Sequence, residues 1–231
     1  MKSPIKPYLI LLALATLLPG TGCSDGTTPR VNDGLVGWVT DSTGAPVAGA
    51  AIGLEYEVQV PDPYAKPSTA LKFQLPEATR VTLVVLDGMD QLVRTLMDGQ
   101  LPAGSHTVIW NALDDVGNPA PNGLYVAVVE TDQQEIARIS MLLNSLDQET
   151  LFDRANVVTD DRGYFRIPRE LVPTGAVIPY MDEGGLSNEA FVSSTVKVVV
   201  ARRIDDQVDY HRETVTLVDG WKHQELNITL P

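Results

Sequence analysis

The sequence predicts an all-β chain of two nested antiparallel β-sandwiches, and three observations lead there. Two turn-and-strand signatures of the kind that build one small sandwich stand roughly 100 residues apart, far beyond an ordinary connection. The stretch between them carries short alternating strands with Gly, Pro and Asp punctuation of its own. Hydrophobic residues make up 44% of 231 residues and aromatics only 6%, so Val, Leu, Ile and Ala must fill the cores. That length suits one large β domain or two of ordinary size.

The N-terminus reads as an export segment. Lys2 and Lys6 precede an apolar run over residues 8–18, and Pro19, Gly20, Thr21 and Gly22 lead into Cys23. The run is too short to span a bilayer, and no later stretch reaches spanning length. Cys23 is the sole cysteine, which excludes an internal disulfide and a multi-cysteine metal site. Its placement after small residues resembles the lipobox of bacterial lipoproteins. That resemblance implies diacylation of the Cys23 thiol, removal of the preceding segment and acylation of the new amine. Thr21 and Gly22 fit the pattern, whereas Gly20 stands where leucine is expected. Gly20, Thr21 and Gly22 also fit the small-x-small site of ordinary signal peptidase, which would cut the same bond. The reading is a signal peptide over 1–22, lipidation at Cys23 and a flexible tether over 23–33. The expected location is the outer membrane or periplasm of a bacterium, with the membrane as partner through Cys23. Two or more acyl chains hold a protein stably to a bilayer, whereas one is marginal.

The formal charge is −13, and loss of Lys2 and Lys6 leaves 15 basic against 30 acidic residues, or −15. Such a balance repels nucleic acid and anionic lipid surfaces over about a Debye length, so no nucleic-acid partner is expected.

The outer sandwich opens with strand propensity over 36–40, followed by turn chemistry at Asp41, Ser42, Thr43 and Gly44. Pro46 fixes φ before the next strand, and the small Gly49 and Ala50 permit close backbone approach before a strand over 51–56. The second signature predicts a strand over 156–159, a hairpin loop over 160–163 and a strand over 164–167. Further strands are expected over 195–201, over 213–218 with Val215 and Leu217 on one face, and over 225–230 with Leu226, Ile228 and Leu230 turned to the core. Residues 171–188, with Pro173, Pro179, Gly184 and Gly185, read as a long loop. Gly37, Val39, Asp41, Gly44, Pro46, Val47, Gly49, Ala50 and Ile52, then Thr159, Asp160, Gly163 and Phe165, resemble the carboxypeptidase regulatory-like family. The resemblance implies a transthyretin-like sandwich formed by residues 34–60 plus 145–231.

The inner stretch restarts after a Pro-rich hinge over 61–67. Strands are expected over 71–75, 80–87, 91–97, 104–110 and 123–129, and six or seven such strands at this spacing indicate an antiparallel sandwich. Leu75, Pro76, Val81, Leu83, Val85, Asp87, Val93, Arg94, Leu96, Ala103, Gly104, His106, Val108, Trp110, Asp114, Gly117, Gly123 and Tyr125 resemble the Ig-like domain of the flagellar hook-capping family. Leu86 replaces a tyrosine of that pattern, Asp90 a turn glycine, and Asn111 with Ala112 an Asp-Gly pair. The resemblance implies an inserted Ig-like sandwich over 61–144. Ile136, Ile139, Leu143 and Leu146 are compatible with a helical face, but the family pattern implies a returning strand over 134–143, which is the reading adopted.

No catalytic, cofactor-binding or metal site is expected. His106, His211 and His223 share no ligand or triad spacing, and no nucleophile elbow, P-loop or dinucleotide motif occurs. Asp114 with Asp115, Asp160 with Asp161, and Asp205 with Asp206 pair carboxylates that could hold Ca²⁺ or serve acid–base chemistry. All fall in expected turns, where aspartate closes the backbone by accepting nearby N–H groups. Trp38 and Trp110 lie in expected strands and are assigned to the core. The expectation is a non-enzymatic, lipid-anchored cell-envelope protein acting as a structural or protein-binding module. The alternatives are a cell-surface carbohydrate-binding module and an accessory factor in flagellar or secretion assembly.

Overall fold

Alternation of apolar and polar residues decides which face of each strand is buried. The structure, a computed structural model, describes residues 33–59, 70–144, 150–181, 187–205 and 207–231. The expected signal segment, Cys23, nearly all of the tether, the Pro-rich segment 61–67, Gly184, Gly185 and Asp206 lie outside the described residues. In chain order the strands are β1 (Gly34–Thr40), β2 (Ala51–Gln59), β3 (Ala70–Leu75), β4 (Thr79–Asp87), β5 (Leu92–Leu101), β6 (Gly104–Ile109), β7 (Gly123–Thr131), β8 (Glu135–Leu143), β9 (Val157–Val158), β10 (Tyr164–Pro168), β11 (Val177–Met181), β12 (Ser187–Ile204), β13 (Gln207–Thr216), β14 (His223–Glu225) and β15 (Ile228–Thr229). Among the described residues no α-helix occurs, only a single 3₁₀ turn over Arg169–Leu171.

Strand pairing separates into two sets. β10, β1 and β14 form one sheet, with β15 also on β1, while β11, β12, β2 and β9 form a second, with β13 on β12. Between these sheets lies a core that includes Leu35, Val39, Ile52, Leu54, Phe165, Ile167, Val196, Val198, Val200, Ile228 and Leu230. Full burial of each such side chain contributes about 1.5–3 kcal/mol. The other set pairs β3 with β6, and orders β5, β4, β7 and β8 in a four-stranded sheet. Its core holds Leu71, Phe73, Leu75, Val81, Leu83, Val85, Trp110, Tyr125, Ala127, Val129 and Met141. All described residues belong to one compact unit.

The two sequence signatures come together although about 110 positions separate them along the chain. Gly37 of β1 lies opposite Phe165 of β10. A Cβ at Gly37 would meet the Leu226 carbonyl and, at 3.1 Å, the Phe165 ring, so only glycine lets the C-terminal segment close over this strand. The Thr159 hydroxyl accepts the Ala50 N–H at 2.9 Å and donates to the Val47 carbonyl at 2.8 Å. Gly163 takes φ +73°, and a Cβ there would strike the Val39 carbonyl. The signature residues are thus one interlocked set of turns at one end of the outer sheets.

Several expectations are corrected. Residues 160–163 do not close a hairpin: β9 pairs with β2 and β10 with β1, so the turn carries the chain from one sheet to the other. Residues 171–188 are not a continuous loop, because β11 pairs antiparallel with the start of β12. β11 forms no other strand pairing among the described residues, an edge position that accommodates Pro179. The C-terminal segment points its Leu226, Ile228 and Leu230 inward as expected, yet β14 and β15 run parallel to β1. The returning strand adopted over 134–143 is present as β8. Trp110 is buried just past the end of β6, whereas Trp38 is 42% exposed because the inward positions of β1 are Leu35, Gly37 and Val39.

Candidate functional site

Asp114 and Asp160, singled out in the sequence, close turns, and Asp41 and Asp87 do the same. At Asp41 one Oδ1 accepts the N–H of Thr43 at 2.9 Å and of Ala45 at 3.0 Å, as well as the Thr43 hydroxyl at 2.6 Å. Asp87 takes the N–H groups of Met89 and Gln91, Asp114 those of Val116 and Asn118, and Asp160 those of Arg162 and Tyr164. In each case the aspartate N–H also bonds the carbonyl four residues on, and its carbonyl accepts the N–H three residues on. That third residue adopts positive φ: Gly44, Asp90, Gly117 and Gly163. One Asp-x-x-Gly turn is therefore used four times, and Asp90 substitutes for glycine because a short polar side chain tolerates the left-handed region. The hydrogen bonds from Thr43 and Ala45 hold the Asp41 carboxyl below the ordinary 3.8. At Asp114 desolvation pushes upward, but the bonds from Asn118, Val116 and Gly117 outweigh it and the net shift is downward. Asp115 accepts the Thr95 N–H and lies 3.8 Å from Arg94. No group of three or more His, Cys, Asp or Glu suited to a metal ion occurs among the described residues.

This assignment is testable. Asp160→Ala is expected to lower stability by about 1–2 kcal/mol, since it removes charge-assisted bonds to two N–H groups. Asp160→Asn, which keeps the accepting oxygen, recovers most of the loss in a thermal melt. A calcium-dependent rise in the wild-type melting temperature that Asp160→Asn abolishes would contradict a turn-closing role.

His106, Trp110 and Trp221 make structural contacts. The His106 ring bonds the Pro102 carbonyl through Nε2 at 2.9 Å and stacks on Phe73 with centroids 5.4 Å apart. Trp110 packs against Tyr125 at 4.9 Å and donates to the Leu113 carbonyl. Trp221 is buried beneath the Arg169 guanidinium and donates to the Thr174 hydroxyl at 3.2 Å. Only Trp38 presents substantial indole surface, beside Tyr164 at a centroid distance of 5.3 Å.

A feature without any sequence signal joins the two cores. β9 covers the edge of β2 only at Ala51 and Ile52. Beyond that point asparagine side chains take the place of a neighbouring strand. Leu54 N–H donates to Asn156 Oδ1 at 2.9 Å, and Asn122 Nδ2 donates to the Leu54 carbonyl at 2.8 Å. Asn156 Nδ2 donates in turn to the Asn122 carbonyl. Two residues on, Tyr56 N–H donates to Asn144 Oδ1 at 2.8 Å, and Asn144 Nδ2 donates to the Tyr56 carbonyl at 2.7 Å. Burial pushes the phenols of Tyr56 and Tyr125 well above their ordinary value, so both stay neutral donors. Tyr56 reaches the Leu171 carbonyl and Tyr125 that of Pro121. Gly88 completes the join, since a Cβ there would meet the Glu170 carbonyl. A cleft of about 410 Å³ opens at this junction, with Asp87, Asn122, Tyr125, Asn156 and Leu171 in its wall.

Asn144→Ala should cost about 2–3 kcal/mol, because it strands both the N–H and the carbonyl of Tyr56 in a partly buried setting. Hydrogen exchange at the Tyr56 amide should accelerate with it. An unchanged exchange rate there would show that water replaces the side chain without penalty.

These features define a sandwich-built, all-β protein whose conspicuous polar groups serve turns and joins. Residues 64–135 match the family described as the FlgD Ig-like domain, so the middle of the chain is similar to that Ig-like module. A solved structure of FlgD from P. aeruginosa is 14% identical, with a TM-score of 0.26, and the match covers 77% of this chain and 91% of that one. No curated protein matches the chain. β8 lies almost wholly beyond the matched residues yet pairs along the length of β7, so the module's sheet extends past the family match.

Proposed function

We propose that this chain is a non-enzymatic, lipid-anchored cell-envelope protein in which a carboxypeptidase regulatory-like sandwich, residues 34–60 plus 145–231, carries the FlgD-type Ig-like module, residues 61–144, as a structural or protein-binding element. The observation that carries the reading is the asparagine ladder on the edge of β2. A module tied to its stem by paired hydrogen bonds of asparagine side chains is presented at a fixed angle, which suits display or spacing. The signature residues supply the stem's family resemblance, and Cys23, after its short apolar segment, supplies the anchor. Recognition through loops or sheet edges is the mode open to such a scaffold.

Mass spectrometry of the mature N-terminus from a bacterial host tests the anchor. The expected product begins at acylated Cys23 and fractionates with membranes, and Cys23→Ser is released from them. An unmodified Cys23 amine in a soluble product would overturn lipid anchoring. Protease cleavage within 60–69 and 145–149 tests the nesting. The middle fragment and the two flanking fragments should co-elute in native buffer with β structure kept in both sandwiches, whereas loss of both folds on cutting would refute two sandwiches. The FlgD-type match favours a second reading, an accessory role in flagellar or secretion assembly, which altered motility or secretion in a deletion strain would support.

A further inference from the structure

We propose that the outward face of β1 and β10, centred on Trp38 and Tyr164, is a binding site for a neutral saccharide, a function that does not depend on the anchor. The two rings face each other across the strand pair in register, with centroids 5.3 Å apart and planes inclined at 54°. Trp38 is 42% exposed, so its indole offers a free π-surface to the axial C–H groups of a sugar ring. The Tyr164 hydroxyl has no hydrogen-bond partner among the described residues, so it is available to a sugar hydroxyl.

Polar groups surround the pair. Asn227 is held by two contacts, its Oδ1 accepting the Trp38 N–H at 3.2 Å and its Nδ2 donating to Glu225 at 2.9 Å. The hydroxyls of Thr40 and Thr229 meet at 3.4 Å on the same strand neighbours, and Arg166 lies next but one to Tyr164 along β10. An aromatic platform flanked by an amide, a carboxylate and hydroxyls has the mixed character of a saccharide, whose rings alternate apolar C–H faces with equatorial hydroxyls.

Size and charge select this occupant over others. Trp38 is the only large hydrophobic of β1, β10, β14 and β15 that is strongly exposed. A Trp–Tyr pair offers at most a few hundred Å², well short of the ~800 Å² per partner of a stable protein interface. The chain's charge of −13 opposes an anionic polysaccharide or an anionic bilayer, which leaves a neutral glycan.

Affinity electrophoresis of the full chain through gels containing soluble β-glucan, glucomannan or glycol chitin tests the site, with tryptophan fluorescence as a second readout. The expected result is retardation by at least one gel. Trp38→Ala and Tyr164→Ala should each weaken it ten-fold or more with an unchanged melting temperature. Phe191→Ala, which removes an exposed aromatic from the other outer sheet, should leave it intact. Should Trp38→Ala fail to fold, Trp38→Phe keeps a ring against Tyr164 and should retain part of the retardation. Absence of retardation in all three gels, or retardation that survives Trp38→Ala, would overturn the proposal. So would Trp38-dependent binding of the Cys23→Ser chain to phosphatidylcholine vesicles in place of glycans, since that would make the pair a bilayer contact.

Discussion

Gly37→Ala is expected to unfasten the C-terminal segment from the outer sheet and to cost about 4 kcal/mol or more. The new methyl group has nowhere to go. It would fall on the Leu226 carbonyl, which is backbone, and press on the Phe165 ring at 3.1 Å. Relief requires β14 and β15 to lift from β1. That movement breaks the Leu226 N–H bond to the Val36 carbonyl and the Leu230 N–H bond to the Thr40 carbonyl. It also draws Leu226, Ile228 and Leu230 out of the core. Equilibrium urea unfolding should show the loss, and limited proteolysis should clip the variant between residues 218 and 231. A variant with the wild-type urea midpoint would refute the close approach of these two strands.

Trp110→Ala should remove about 3–5 kcal/mol by emptying the centre of the inner core. The side chain is 1% exposed and lies against Tyr125, with its indole N–H bonded to the Leu113 carbonyl at 2.9 Å. Alanine leaves a cavity and an unpaired carbonyl, and the turn after β6 loses its fastening. The loss is local, because the second core does not include Trp110. Hydrogen exchange should therefore speed first in β3, β4 and β7 while β1, β10 and β12 keep their protection. Uniform loss of protection would mean that the asparagine ladder couples the two cores into one cooperative unit.

Strand existence was legible wherever period-two alternation was strong, as in β3, β4, β7 and the inward triad Leu226, Ile228 and Leu230. The turns were legible too, because Asp and Gly at fixed spacing have a local mechanism. Strand partners were not. The chemistry of 160–163 is the same whether the chain folds back beside itself or crosses to the facing sheet, and only the distant β1 and β2 decide between them. Trp38 was readable in principle, since Leu35, Gly37 and Val39 alternate inward and leave it outside. Its strand propensity outweighed that signal. The asparagine ladder had no signature at all, because Asn122, Asn144 and Asn156 are isolated in sequence and acquire meaning only beside the bare edge of β2. β11 was hidden by Pro179, which an edge strand tolerates.

The parallel pairing of β14 and β15 with β1 bears on the order in which the molecule can assemble. Strand β1 meets its partners on one side only across about 190 positions of chain, a long-range contact that is slow to close. Until residues 226–230 dock, the Val36 and Thr40 carbonyls and the inner face of Gly37 stay open. The FlgD-matching module needs none of those C-terminal strands for its own pairing, so its sheet can form before the outer sheet closes. The segment over 223–230 acts as a latch, and the outer sheet stays open along β1 until it docks.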